Sequence, residues 1–187
     1  MVPLNTANLL TLSRIVMVPL MLVLLFGDQV GPFPLAAAVF GLAALTDAAD
    51  GHVARTRNMI TDFGRLADPF ADKLLVGAAL ASLVIIGRLP LWIALVVGVR
   101  EVAVTLLRWH AARRGVVISA SPLGKAKTGV QMTAILVLML VTDASAGWID
   151  GVLFAVVALT VASGVQYGLA YARRRAAVPA GAVGLAG

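Results

Sequence analysis

Hydrophobic residues fill six long runs of this chain, and polar residues collect between them. The runs are Arg14–Phe26, Pro34–Arg55, Arg65–Ile86, Pro90–Ala112, Lys125–Val141 and Trp148–Tyr171. A membrane-spanning helix needs about 20 such residues to cross a hydrocarbon core of about 30 Å. The first run falls short of that and is expected to begin earlier, near Asn8. Gly31-Pro32-Phe33-Pro34, Gly87-Arg88-Leu89-Pro90 and Ala144–Gly147 carry the turn chemistry that separates neighbouring runs. In lipid only helices and closed barrels satisfy their own backbone, and a barrel needs the polar/apolar alternation that is absent here. The pattern predicts an all-α, polytopic membrane protein with six transmembrane helices.

Composition agrees. The 187 residues are 60% hydrophobic and 13% charged, against about 45–50% apolar in soluble domains. The chain lacks cysteine, which excludes disulfides, thiolate metal sites and cysteine nucleophiles. His52 and His110 are too few and too far apart for a histidine-based metal site. The net charge of +6 would suit nucleic acid if spread over a soluble surface, but its placement points elsewhere. Arg55, Arg57 and Arg65 lie between spans two and three, Arg113, Arg114 and Lys125 between spans four and five, and Arg173, Arg174 and Arg175 after span six. The opposite loops hold only Arg88, beside Asp28, Asp143 and Asp150. Basic residues stay on the cytoplasmic side, so both termini are expected there and no nucleic-acid partner is expected. The N-terminus has no basic region or small-residue cleavage site, which predicts no processing. One membrane domain over residues 1–175 is expected, with residues 176–187 as a small-residue-rich disordered tail.

Against this apolar background stand Asp47 and Asp50 in span two, and Asp68 and Asp72 in span three. Spacings of three and four put each pair on one helix face. At a rise of about 1.5 Å per residue, Asp50 and Asp68 lie roughly 5–8 Å below the cytoplasmic end, and Asp47 and Asp72 roughly 10–12 Å. Antiparallel neighbours joined by a short loop would oppose the pairs at matched depth. An aspartate at a span centre costs about 2.5–3.5 kcal/mol, less near the end, and four together repel one another. Arg55, Arg65 and Lys73 can offset part of this as structural salt bridges. Yet the two arginines lie at the rim, and Lys73 is off the Asp68/Asp72 face. An all-carboxylate set suits Mg²⁺ or Mn²⁺ rather than zinc, and four carboxylates can hold two ions in an arrangement that serves phosphoryl chemistry. Gly51 and Ala54 leave room beside the carboxylates, either for a ligand or for tight helix packing, and Arg55 is placed to meet a phosphate. A metal or proton conduit would use acidic residues too, but these cluster toward one side with no relay to the other.

The pattern Asp47-x2-Asp50-Gly51-x2-Ala54-Arg55-x8-Gly64-x3-Asp68-x3-Asp72 resembles, at every fixed position, the signature of the CDP-alcohol phosphotransferases. The resemblance implies a six-helix integral membrane enzyme of the cytoplasmic membrane, homodimeric, with its active site facing the cytoplasm. Such an enzyme moves a phosphatidyl or similar group from a CDP-activated donor to an alcohol and releases CMP. It implies metal ligation by Asp47, Asp50, Asp68 and Asp72, with Asp72 also the general base. Asn8, Gly51, Ala54, Arg55 and Gly64 would hold the CDP donor. With all eight fixed positions present, an inactive scaffold is not expected.

The acceptor has to be read outside that signature. Arg100, Val104 and Arg108 share one face of span four, with Arg100 near mid-membrane. An arginine so deep is either paired in a buried salt bridge, for instance with Glu101 or Asp72, or faces a wet functional cavity. Two guanidiniums on one face suit a phosphorylated acceptor. Lys125 and Lys127 open span five, either as a positive-inside anchor or as a second basic wall. Asn8, Thr11 and Arg14 form a polar stripe that either frames the site or lies at the interface.

Arg100-Glu101-x-x-Val104-x-x-Leu107-Arg108, Asp68-Pro69-x-Ala71-Asp72-Lys73, Asn8-Leu9-Leu10-Thr11-Leu12-x-Arg14 and the segment from Gly115 to Thr128 resemble the phosphatidylglycerophosphate-forming branch of the family. Ala7 departs from the proline common there. The resemblance implies CDP-diacylglycerol as donor and sn-glycerol 3-phosphate as acceptor, its phosphate among Arg14, Arg100, Arg108, Lys125 and Lys127. The phosphatidylinositol-phosphate synthase and CDP-type cardiolipin synthase branches are the alternatives. The sixth span carries no motif.

Overall fold

The computed structural model describes residues 6–27, 32–57, 62–114, 119, 121–143 and 146–177, with side chains described outside 6–11, 47–57, 62–69 and 175–177. These residues form six α-helices: α1 (Thr6–Gly27), α2 (Pro34–Arg57), α3 (Asp62–Ile85), α4 (Leu91–Arg113), α5 (Pro122–Leu140) and α6 (Gly147–Ala177). No strand occurs among the described residues. Each helix falls on one hydrophobic run. The first begins at Thr6, ahead of the apolar run, as its length required. Residues 178–187 of the expected tail lie outside the described residues, and α6 reaches Ala177.

Two helical stretches are long and apolar enough to cross a membrane by length and hydropathy alone, Pro122–Leu140 and Gly147–Arg174. The apolar parts of α1 and α2 among the described residues are Leu12–Gly27 and Pro34–Thr46. The acidic end of α2 takes the rest of its length, α3 opens on its own acidic end, and α4 is interrupted by Arg100, Glu101 and Arg108. The outer faces nonetheless stay apolar. Leu12, Val16, Leu20, Val23 and Phe26 are exposed along α1, Leu95, Val99, Val102 and Leu106 along α4, and Phe154, Val161, Val165 and Leu169 along α6. Helices apolar on every side do not face water, and so much exposed apolar surface marks a membrane protein.

The chain divides into two compact units, Met1–Leu91 with Met132–Ile149, and Trp92–Gln131 with Asp150–Gly187. In the first, α1 packs against both α2 and α3. Its inward face is Arg14, Val18, Met21 and Leu25, spaced four, three and four apart, opposite the exposed stripe. Ala36, Phe40 and Ala43 are among the buried positions of α2, and Leu75, Ala79 and Leu83 among those of α3.

The end of α3 is a Schellman motif. Gly87 adopts φ 74°, the left-handed conformation glycine reaches without a Cβ penalty. Its N–H donates to Val84 O at 3.0 Å, and that of Arg88 to Leu83 O at 2.8 Å. This frees the Arg88 side chain to cap α5. Its Nη1 donates to Leu138 O at 2.8 Å and Val141 O at 2.6 Å, while Phe33 N–H donates to Met139 O at 2.7 Å. Helix C-terminal carbonyls have no intrahelical donor, so these bonds close the end of α5. The guanidinium also stacks 4.8 Å from the Phe33 ring.

In the second unit, Ser121 and Pro122 start α5. Ser121 Oγ accepts from Gly124 N–H at 3.0 Å, the N-cap bond, and proline takes the first helical position, where no donor is needed. Tyr167 of α6 locks this end: its hydroxyl accepts from Ser121 N–H at 3.1 Å. Ala111 and Tyr167 are buried together, with Val104, Leu107 and Tyr171 packed around them.

Candidate functional site

Helix α2 carries Asp47, Asp50, Gly51, Ala54 and Arg55 in its last turns, and α3 carries Gly64, Asp68 and Asp72 in its first. Both aspartate pairs are therefore helical, which puts each pair on one face at the spacings of three and four. The side chains of Asp47, Asp50, Gly51, Ala54, Arg55, Gly64, Asp68 and Asn8 lie outside the described residues. Asp72 is described and is half-buried, between fully buried Ala71 and exposed Lys73. Among the described residues no three His, Cys, Asp or Glu side chains form a metal-holding group. The chemistry of the donor set itself fits hard divalent cations: four carboxylates and no nitrogen or sulfur ligand.

Arg14, read from sequence as part of a polar stripe at the rim, sits on the buried face of α1, 1% exposed. It belongs to the first unit, where α1 packs on both aspartate-bearing helices. Such burial of a guanidinium requires a paired, purpose-built environment.

The other acceptor-side candidates belong to the second unit, and the structure sorts them. Arg100 and Lys127 come together on one carboxylate: Arg100 Nη1 donates to Glu101 Oε1 at 3.1 Å, and Lys127 Nζ donates to the same oxygen. Lys127 is 2% exposed, and the Arg100 and Glu101 side chains are 12% and 31% exposed. Arg108 and Lys125 are exposed. Arg100 is further held by α6. Its Nη2 donates to Ser163 Oγ at 2.9 Å, its guanidinium lies 5.6 Å from the Tyr167 ring centre, and its stem passes 3.4 Å from where a Cβ on Gly164 would stand.

Of the two sequence alternatives for Arg100, the structure shows the ion pair, made with Glu101. Ser163 and Tyr167 were not singled out by sequence reading. Glu101 was readable as a possible partner of Arg100. The α6 pair left no charge pattern to find. Beside Arg100, α4 and α6 border a groove of about 620 Å³ lined by Leu95, Val99, Ala103, Leu107, Val161 and Gly164. This lining suits hydrocarbon and is wrong for a glycerol phosphate.

Carboxylate-rich ends on α2 and α3 and, in the second unit, a basic cluster on α4 and α5 stand out in an otherwise apolar helical chain, a make-up that suits a membrane enzyme acting on phosphates. The family model for CDP-alcohol phosphatidyltransferase matches residues 4–166, and the chain belongs to that family. It is similar to a "Probable phosphatidylglycerophosphate synthase" of Mycobacterium tuberculosis, 44% identical over 167 residues, which cover 87% of this chain and 79% of the relative. It is also similar to the CDP-diacylglycerol–glycerol-3-phosphate 3-phosphatidyltransferase of Bacillus subtilis, 39% identical over 179 residues, covering 87% of this chain and 93% of that protein. A chloroplastic/mitochondrial enzyme of the same name from Arabidopsis thaliana is 34% identical over 78% of this chain and 54% of its own length.

Proposed function

We propose that this transferase moves the phosphatidyl group of CDP-diacylglycerol to sn-glycerol 3-phosphate, giving phosphatidylglycerophosphate and CMP in anionic phospholipid biosynthesis. The reading rests above all on the family match over residues 4–166, which contains the whole eight-residue aspartate signature. The names of the relatives support the choice of donor and acceptor.

Asp47, Asp50, Asp68 and Asp72 would hold two Mg²⁺ or Mn²⁺ ions. Such ions, when bound, neutralise the donor pyrophosphate and the charge on departing CMP. The chain's own residues do the rest. Asn8, Gly51, Ala54, Arg55 and Gly64 seat the nucleotide. Asp72 takes the proton of the acceptor's primary hydroxyl. The hydroxyl oxygen bonds to the phosphorus bearing diacylglycerol as the bond from that phosphorus to the CMP oxygen breaks. Arg100 and Lys127, with Arg14, Arg108 and Lys125, hold the acceptor phosphate. All six helices span the cytoplasmic membrane as one domain over residues 1–175, with both termini and the active site on the cytoplasmic side. The enzyme acts as a homodimer.

CMP release by the purified protein with CDP-diacylglycerol and Mg²⁺ tests this. Release is expected with sn-glycerol 3-phosphate. Release with inositol phosphate or phosphatidylglycerol but not glycerol phosphate would overturn the acceptor. In the same assay Asp72→Asn is expected to lower turnover about 10²–10⁴-fold, the usual contribution of a general base. Unchanged turnover with metal still bound would remove Asp72 from that role.

A further inference from the structure

We infer that Glu101 is the positioning residue of the acceptor site: its one carboxylate holds Arg100 and Lys127 together as a phosphate-binding pair. The inference rests on the reading of Arg100 and Lys127 given above.

Arg100 and Lys127 stand on different helices, α4 and α5, and like charges side by side repel. Lys127 is 2% exposed, so water does little to screen it. A buried ammonium without a counter-ion is far more costly than one that is paired. Glu101 Oε1 accepts from both cations and removes the repulsion between them. At 31% exposure Glu101 is the most accessible member of the trio. Its neighbour Arg100 is fixed on the far side by Ser163 Oγ at 2.9 Å. With Nη2 tied to Ser163 and Nη1 tied to Glu101, the guanidinium plane is set before any ligand arrives. A preset donor geometry is what a bidentate phosphate contact needs.

Two effects of removing the Glu101 charge oppose each other, and this makes the test decisive. If Glu101 acted only as a negative charge beside an anion, Glu101→Gln would strengthen acceptor binding and lower its KM. If it positions the two cations, the same change lets them separate and KM rises. A hydrogen bond to a charged group contributes about 1.5–3 kcal/mol, so a rise of about tenfold or more is expected.

The experiment measures CMP release by the full chain, varying sn-glycerol 3-phosphate and CDP-diacylglycerol in turn. Positioning predicts that Glu101→Gln raises acceptor KM about tenfold, while KM for CDP-diacylglycerol stays within about twofold of the wild type. Glu101→Asp keeps the charge with a shorter reach and should recover part of the loss. Should Glu101→Gln fail to fold, shown by loss of the Mg²⁺-dependent thermal shift with CDP, Glu101→Asp alone decides. An acceptor KM raised about threefold or more supports positioning, and one closer to the wild type overturns it. An unchanged or lowered acceptor KM in folded Glu101→Gln overturns the inference and leaves the proposed reaction standing. Absence of glycerol-phosphate-dependent release by the wild type overturns the reaction, and the inference falls with it.

Discussion

A hydrogen atom is all that fits on the outer side of Gly124 Cα. A Cβ there would stand 2.9 Å from Tyr167 Oη and 3.2 Å from both Ser121 Oγ and Tyr167 Cε2. The obstruction is a buried ring rather than the free end of a flexible chain, so it cannot swing aside cheaply. The same hydroxyl accepts Ser121 N–H, and the same Oγ caps α5. Gly124→Ala is therefore expected to cost about 1–3 kcal/mol through overpacking and a disturbed cap. Tyr167→Phe alone loses one hydrogen bond, about 1 kcal/mol. Combined, they should cost less than their sum, because removing the hydroxyl removes the closest clash. Thermal unfolding of the four proteins in one detergent checks this; strict additivity would mean that the ring already moves freely. Nothing in the local sequence announces the arrangement. Ser121 and Pro122 could be read as a helix start. But Tyr167 lies more than forty residues away on a helix that looks generic, and the pairing exists only once α6 has packed. The cations show the same division. Arg100 and Lys127 were legible as anomalous charges in apolar runs, whereas a shared carboxylate is a property of the packed helices.

Element boundaries were legible because glycine and proline punctuate an apolar chain at nearly every turn, and because a helix in lipid has little choice of length. The reading of α2 begins at the observed Pro34, and that of α4 within one residue of Leu91. The function of Arg88 was not legible. From sequence it is the lone basic residue in the opposite loops, an exception to a rule. In the fold its guanidinium closes the carbonyl end of α5, and burial pushes its pKa below the ordinary value. Arginine retains its proton at neutral pH even so. A cation at a helix C-terminus is also favoured by the helix dipole. Arg88→Met keeps most of the stem but leaves Leu138 O and Val141 O without this donor. A loss of about 2–4 kcal/mol is expected, from two charged hydrogen bonds and a partly buried stacked cation. It should appear as a lower unfolding temperature, with acceptor KM unchanged in the protein that remains folded. A raised KM with unaltered stability would assign Arg88 to substrate instead of to α5.

For the whole molecule, the capping role of Arg88 bears on orientation. The positive-inside rule counts basic residues near the ends of the spans, and Arg88 is the only one on the proposed outer side. Since its side chain is bound to α5 carbonyls, the fold gives it a structural reason to be there. The remaining bias is one-sided: Arg55, Arg57 and Arg65, then Arg113, Arg114 and Lys125, then Arg173, Arg174 and Arg175. Two alternate connections and the C-terminal end of a six-helix chain carry these groups, which six crossings with both ends inside would produce. The chain lacks cysteine, so single cysteines can be placed without altering a background. Gln29→Cys and Ser145→Cys fall in proposed outer connections, and Asn58→Cys, Ser119→Cys and Ala176→Cys in proposed inner ones. A membrane-impermeant maleimide should label the first two in right-side-out vesicles and the last three only in inverted ones. Asn58 is the most informative position, because it follows the aspartates of α2 and precedes those of α3. Labelling of Asn58→Cys from the outside would move the acidic helix ends away from the cytoplasm, where a soluble glycerol phosphate is supplied. Labelling of Asn58→Cys and Gln29→Cys from the same side would mean that α2, shortened in its apolar part by Asp47 and Asp50, does not cross at all.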